Sequence, residues 1–350
     1  MPGMGEFCYV HLGKGMNMRS VILLLVVAAS LRAQTPPMCQ AGLNLVKTGD
    51  YVNAQNSLWA CVDSGSGDKT HTFYLTLTYR ELKNYDSGLS KTDAALKQNP
   101  DNVEMLYLAA FLHYRRGESK DSMLLLSKAY KLDPNDWRIH QLFALNYITF
   151  NMNEAVEAEL KKAFALNPTN AELEYQLGRL YFTLNRFDES IAAMKRALAI
   201  TPDYPEVYDN LGLTYGGLRE PKLAEESFSR AIEIDRKQGI KDPLPLINCA
   251  KFFFFYETAP EKSLPLLSRA LEMNPHSREG NYQMGRVLQA LHRDAEAEKY
   301  FETTIEVDPS FPSAYYDLGK LLQKRGENAR AAVLLDRFEV LTEKAGKTTP

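Results

Sequence analysis

The sequence predicts an all-α protein, a solenoid of antiparallel helix pairs in about nine copies, and three observations predict it. Prolines recur every 34 residues at Pro100, Pro134, Pro168 and Pro202, and the same phase returns at Pro275 and Pro309. Counted from three residues after each proline, the eighth position is small: Gly42, Ala110, Ala144, Gly178, Gly212, Gly285 and Gly319. A second small column runs Cys61, Ala95, Ala129, Ala163, Ala197, Ala231 and Ala270, with Tyr79, Tyr147, Tyr181 and Tyr215 between the two. Small residues at two fixed places let paired helices approach closely, and proline ends the second of each pair because it lacks an amide donor. A unit of this length cannot bury its apolar face alone and must stack on copies of itself.

Taken in order, residues 1–33 read as a secretory signal. Arg19 precedes the apolar run 21–31 (VILLLVVAASL), followed by Arg32 and Ala33. A helix of that length reaches about 17 Å against a hydrocarbon core of about 30 Å, too short to span it. Cleavage is expected after Ala33, with Ser30 as the alternative site, and Met16 or Met18 would give a conventional start. No lipobox precedes Cys39, so the mature chain is expected in the periplasm or outside the cell, without a lipid anchor or an integral membrane span.

The repeats then run 35–68, 69–102, 103–136, 137–170, 171–204, 205–238, 244–277, 278–311 and 312–345, and leave no room for a second kind of domain. Arg236 stands where proline is expected, and residues 239–243 are an insertion, read as a tolerated loop, a kink or a partner contact. Thr76 and Lys251 depart from the small eighth position, and Thr304 and Phe338 from the alanine column. The last helix, 328–344, is polar enough to cap the stack, and residues 346–350 read as a frayed tail. Cys39 and Cys61 fall at adjoining ends of the first helix pair, where a disulfide is expected, two core-filling thiols being the alternative.

The best-matched stretches are 174–202 (EYQLGRLYFTLNRFDESIAAMKRALAITP), 106–134 and 42–61 (GLNLVKTGDYVNAQNSLWAC). In them the chain resembles the tetratricopeptide repeat family. The resemblance implies a right-handed superhelix whose concave groove is lined by the first helix of each pair. It places the second, fifth, sixth, ninth, twelfth and thirteenth positions of those helices in the groove. The residues so placed include Tyr107, Phe111, Arg115, Arg138, Tyr175, Gln176, Arg179, Phe182, Asn210, Phe252, Tyr282, Gln283 and Arg286. Amides at the sixth position, Gln40, Gln176, Asn210 and Gln283, form a partial ladder interrupted at Leu108, Leu142 and Cys249.

Composition excludes much else. The chain has 350 residues, 45% hydrophobic and 24% charged, which is ordinary for a globular protein. A formal charge of −3 offers no footprint for nucleic acid. No phosphate-cradling glycine loop, nucleophile elbow or HExxH occurs, and the histidines lack metal-ligand spacing, so no catalytic residue, metal or cofactor is assigned. The function expected is a non-catalytic scaffold that binds an extended peptide or partner segment in the groove. Arg115, Arg138, Arg179 and Arg286 would pair its acidic groups. A structural spacer in an envelope assembly, or an accessory subunit of a secreted enzyme or polysaccharide exporter, are the alternatives, and the oligomeric state is left open.

Overall fold

The computed structural model describes residues 37–347, and every element among them is a helix. The chain divides into two compact units, one ending at Pro202 and the other beginning at Asp203. The signal expected at 1–33 lies outside the described residues, as do residues 348–350. No described helix is long and apolar enough to cross a membrane.

The first unit stacks five helix pairs: α1 (Pro37–Thr48) with α2 (Tyr51–Asp63), α3 (Lys69–Leu82) with α4 (Tyr85–Gln98), α5 (Val103–Arg115) with α6 (Ser119–Leu132), α7 (Trp137–Thr149) with α8 (Asn153–Leu166), and α9 (Ala171–Thr183) with α10 (Phe187–Ile200). The second stacks four: α11 (Pro205–Gly217) with α12 (Pro221–Gln238), α13 (Leu244–Phe255) with α14 (Pro260–Met273), α15 (Arg278–Ala290) with α16 (Asp294–Val307), and α17 (Pro312–Lys324) with α18 (Asn328–Lys347). Residues 346 and 347, expected in a tail, continue α18.

Local chemistry sets the helix ends. Asp68, Asn102, Asp136, Asn170 and Ser277 cap first helices by accepting backbone N–H groups with their side chains. Six second helices end two residues before a proline, because the residue preceding proline is driven out of the α region. Where Arg236 replaces that proline, α12 runs on to Gln238 and stops at Gly239, whose φ of 65° closes the end in a left-handed cap. The turn inside every pair uses the same device: Gly49, Lys83, Gly117, Asn151, Asn185, Arg219, Thr258, His292 and Gly326 all have positive φ. Only three of these nine are glycine, so the pairing of the helices, not the residue type, imposes the turn.

The eighth-position column is steric, as the sequence implied. A Cβ on Gly178 would lie 2.6 Å from Met194, on Gly212 2.6 Å from Phe228, and on Gly285 2.6 Å from Phe301, each on the paired second helix. One register differs from the expectation. Ala250, not Lys251, takes the tight position in the pair α13–α14. Ala250 is buried, and its carbonyl accepts Ser263 Oγ–H at 2.8 Å, as Gly178 O accepts Ser190 Oγ–H at 2.8 Å. A lysine stem does not fit that crossing, so α13 sits one residue early and the turn at 256–259 absorbs the slip. Cores follow the stacking. In the first unit, separate apolar clusters span residues 46–112, 106–143 and 144–193, each joining neighbouring repeats.

Candidate binding face

Within the first unit α1, α3, α5 and α7 touch in succession, and within the second α11, α13 and α15 do so. The first helices that touch share a layer in each unit, while α9 and α17 pack on the preceding second helices α8 and α16.

In the first unit α9 gathers four of them. Tyr175 is 4% exposed, and the guanidinium of Arg179, four residues on, lies 5.5 Å from its ring centroid. Arg179 makes no ion pair among the described residues. Gln176 Nε2–H donates to Glu172 Oε1 at 2.9 Å, which fixes the amide orientation because a carboxylate only accepts. Gln176 Oε1 is left without a hydrogen-bond partner among the described residues. Phe182 is half-buried against Phe187, with ring centroids 5.9 Å apart.

Of the three residues expected on α5, Phe111 is half-buried between two core clusters. Arg115 lies 5.8 Å from the Tyr85 ring centroid and donates from Nη2 to the Tyr85 hydroxyl at 3.3 Å. Tyr107 is buried, and burial pushes its phenol well above the ordinary range.

Arg138 is corrected. Its side chain is 0% exposed and cannot meet a ligand. Nε donates to Asp136 Oδ1 at 3.0 Å, Nη2 to Glu104 Oε1 at 2.7 Å, and Nη1 to Glu104 Oε2 at 2.9 Å and to the Lys69 carbonyl at 2.8 Å. The guanidinium rests 4.6 Å from the Tyr107 ring centroid. Burial opposes charge on Asp136, but the Arg138 contacts hold its carboxyl below the ordinary value. Glu104 and Arg138 occupy the same position of adjacent repeats, so their pairing ties one repeat to the next.

In the second unit the register of α13 redistributes its residues. Phe252 is corrected from groove to core: it is 4% exposed and meets Phe228 at 5.8 Å and Phe253 at 5.5 Å. Asn248 takes the sixth position in place of Cys249, so the amide column of this unit is Asn210, Asn248 and Gln283. Asn210 Nδ2–H bonds the Glu206 carbonyl at 2.9 Å, Asn248 Nδ2–H bonds Asp209 Oδ2 at 2.8 Å, and Gln283 Nε2–H bonds Glu279 Oε1 at 3.1 Å. Burial pushes the Asp209 carboxyl up to about 7, against the pull of the Asn248 bond.

Arg286 is the centre of a cluster. Its guanidinium lies 4.7 Å from the Phe255 ring centroid, 5.4 Å from Phe254 and 5.8 Å from Tyr282. Its one carboxylate neighbour among the described residues, Asp317, is 4.0 Å away and already accepts the Tyr282 hydroxyl at 2.8 Å. Lys251, one repeat earlier, pairs with Glu279 at 2.9 Å, and Lys320, one repeat later, lies 5.8 Å from the Tyr316 ring centroid. Phe254, Lys251 and Asp317 were not among the expected groove residues. The sequence does carry a signal for the arrangement: YQLGR at 175–179, YQMGR at 282–286 and YDLGK at 316–320 each set a cation four residues after a tyrosine.

Cys39 and Cys61 are joined by a disulfide with Cα atoms 5.1 Å apart, which ties the first turn of α1 to the last turn of α2. Cys249 is a buried free thiol, and burial pushes it up to about 12.

A family pattern described as TPR repeat matches residues 178–218, and patterns described as tetratricopeptide repeat match 77–136, 282–344 and 205–238. Together they cover more than half of the chain. No curated protein matches the sequence. Among solved structures the chain is similar to the APC/C hetero-tetramer Cut9–Hcn1, with a TM-score of 0.63 at 11% identity over 78% of this chain and 52% of that one. It thus spans about half the length of that relative. A tetratricopeptide repeat protein from Parabacteroides merdae gives 0.54 at 14% identity over 82% and 97% of the two chains. Pseudomonas aeruginosa pilF gives 0.50 at 18% over 59% and 92%. At such identities the likeness establishes the fold.

Proposed function

Since the chain belongs to the tetratricopeptide repeat family, we propose that it is a non-catalytic scaffold that holds an extended, acidic segment of a partner protein along its first helices. The observation that carries this reading is the recurring tyrosine with a cation four residues on: Tyr175 with Arg179 in the first unit, and Tyr282 with Arg286 and Tyr316 with Lys320 in the second. A cation held over a ring is attracted by the ring quadrupole and is partly ordered before a ligand arrives. Less side-chain freedom is then lost on binding.

In the second unit Arg286 and Lys320 come from consecutive repeats. First helices spaced about 10 Å apart correspond to about three residues of extended chain. The register expected of the ligand is an acidic side chain at every third residue, with apolar contact to Phe255 and Tyr316, both exposed. The export signal read at residues 1–33 and the Cys39–Cys61 disulfide support a site of action outside the cytoplasm.

The test compares a fluorescent peptide carrying Asp or Glu at every third position with its neutral Asn/Gln counterpart. The full chain should bind the acidic peptide saturably and lose affinity as salt rises. The combined variant Arg179→Ala, Arg286→Ala, Lys320→Ala should weaken it at least about tenfold, ~1.4 kcal/mol, with an unchanged circular dichroism spectrum. Tyr175 stays intact because it is core. Equal binding by the variant, or equal binding of both peptides, refutes the reading.

A further inference from the structure

Three first helices make the same contact from their fourth position, to the carbonyl of the proline that follows the preceding second helix. Asn281 Nδ2–H donates to the Pro275 carbonyl at 2.9 Å, and the Tyr315 hydroxyl donates to the Pro309 carbonyl at 3.1 Å. On α7 the residue is His140, whose Nε2 lies 3.0 Å from the Pro134 carbonyl. Each contact ties the turn between two repeats to the helix that follows it. An amide or a phenol keeps its donor throughout the neutral range, whereas an imidazole does not.

The other ring nitrogen fixes the protonation state of His140. Nδ1 lies 2.6 Å from Glu159 Oε2 on α8. Lys162 Nζ, 2.8 Å from Glu159 Oε1, keeps that group a carboxylate. A carboxylate and a backbone carbonyl only accept, so both ring nitrogens carry a proton and the ring is an imidazolium. The charged and titratable groups that face it are Glu159 and Lys162 from α8 and Tyr130 from α6, whose ring stands across the imidazole with centroids 5.6 Å apart. The Glu159 hydrogen bond, against the opposing effect of burial, holds the imidazolium above its ordinary value.

We propose that His140 is a proton-operated latch on the turn between the third and fourth repeats: closed while its ring is an imidazolium, and released at Pro134 when the ring gives one proton to solvent. The proton that a neutral ring keeps belongs on Nδ1, because a lone pair facing a carboxylate at 2.6 Å is less favourable than one facing a carbonyl at 3.0 Å. Nε2 then turns a lone pair on the Pro134 oxygen, and the contact becomes repulsive. The turn so released is a junction of three repeats. Asp133 pairs with Lys69 of the second repeat at 2.6 Å, and Asp136 holds Arg138 of the fourth, whose Nη1 reaches the Lys69 carbonyl at 2.8 Å. The folded chain holds the His140 proton more tightly than the unfolded one. The stability of the closed latch is therefore fully present below about pH 6.5 and is lost as pH rises through the raised folded-state value.

The full chain, with isotopically labelled histidine, is followed by nitrogen NMR from about pH 5 to about pH 9, and His140 is identified by the resonances lost in His140→Asn. Both ring nitrogens of His140 should show the imidazolium shift at about pH 6, and the neutral form should keep its proton on Nδ1. Amide hydrogen exchange, corrected for intrinsic rates, reads the turn itself. Protection over residues 133–140 should fall about fivefold or more across the His140 titration. His140→Asn keeps a donor for Pro134, as Asn281 does for Pro275, and should hold that protection within about twofold over the same range. Glu159→Gln should lower the His140 midpoint by about one pH unit or more. Circular dichroism checks that both variants fold. A neutral His140 ring at about pH 6 overturns the proposal without recourse to any variant, as does protection that stays constant across the titration. Equal falls in the parent and in folded His140→Asn overturn it too, and so does an unchanged midpoint in folded Glu159→Gln.

Discussion

Asp209 makes the stability of the second unit depend on pH, and Asp209→Asn is the perturbation that reveals it. The carboxylate is buried against α13, takes one hydrogen bond from Asn248 at 2.8 Å, and has its other oxygen buried without a partner among the described residues. Burial is the main cause that pushes it from 3.8 to about 7, with the charges of Asp242 and Glu206 adding to the rise. Its folded-state value is raised, so the folded chain binds the proton more tightly than the unfolded one. The resulting stability is fully present below about pH 4 and is lost as pH rises through about 7. Each pH unit in that window costs up to about 1.4 kcal/mol. From pH 5 to pH 8 the loss from this one group is on the order of 2–3 kcal/mol. Asparagine keeps the shape and the acceptor for Asn248 but cannot ionise. Denaturant unfolding of the intact chain, followed by circular dichroism between pH 5 and 8, should show a shallower fall in midpoint for Asp209→Asn than for the parent. Asp235, which burial also pushes up to about 7 and whose rise Asp209 enlarges, supplies the slope that remains. Identical pH profiles for the two proteins would refute the reasoning.

Two other substitutions follow from the geometry. Thr258 holds φ at 49°, a left-handed conformation that a β-branched residue adopts only under strain, so Thr258→Gly should raise stability by about 1 kcal/mol. An unchanged or lower unfolding midpoint would contradict that assignment. Arg138→Met should cost about 3 kcal/mol, because it leaves Asp136, which is fully buried, with only the more distant Lys69 ammonium at 3.6 Å as counter-ion. The double variant with Asp136→Asn should recover part of that loss, and a single-variant cost under about 1 kcal/mol would mean that Asp136 finds another partner or protonates easily.

The architecture was legible because it repeats. Prolines at a fixed interval set where second helices stop, and small residues at the eighth position set where paired helices cross. Gly178, Gly212 and Gly285 each face the side chain that fills the space they leave. The turn between paired helices was not legible in the same way. Lys83, Arg219 and His292 give no hint of the left-handed backbone they adopt, because the closeness of the two helices imposes it. The register of α13 was hidden for a related reason. Counting residues put Lys251 at the crossing, whereas packing admits only Ala250 there, and Phe252 moves from face to core with that one-residue slip.

The binding face divides along the same line. Arg138, Arg179 and Arg286 were equivalent as letters, and the sequence determined only that each lies on a first helix. Tertiary structure decided the rest. Glu104 and Asp136 converge on Arg138 and bury it as an internal clamp. Around Arg179 and Arg286 the neighbours are mainly aromatic rings, which orient a guanidinium without neutralising it. Period and pattern are local properties that a sequence states directly. Which charge meets which counter-charge depends on the residues that packing places beside it.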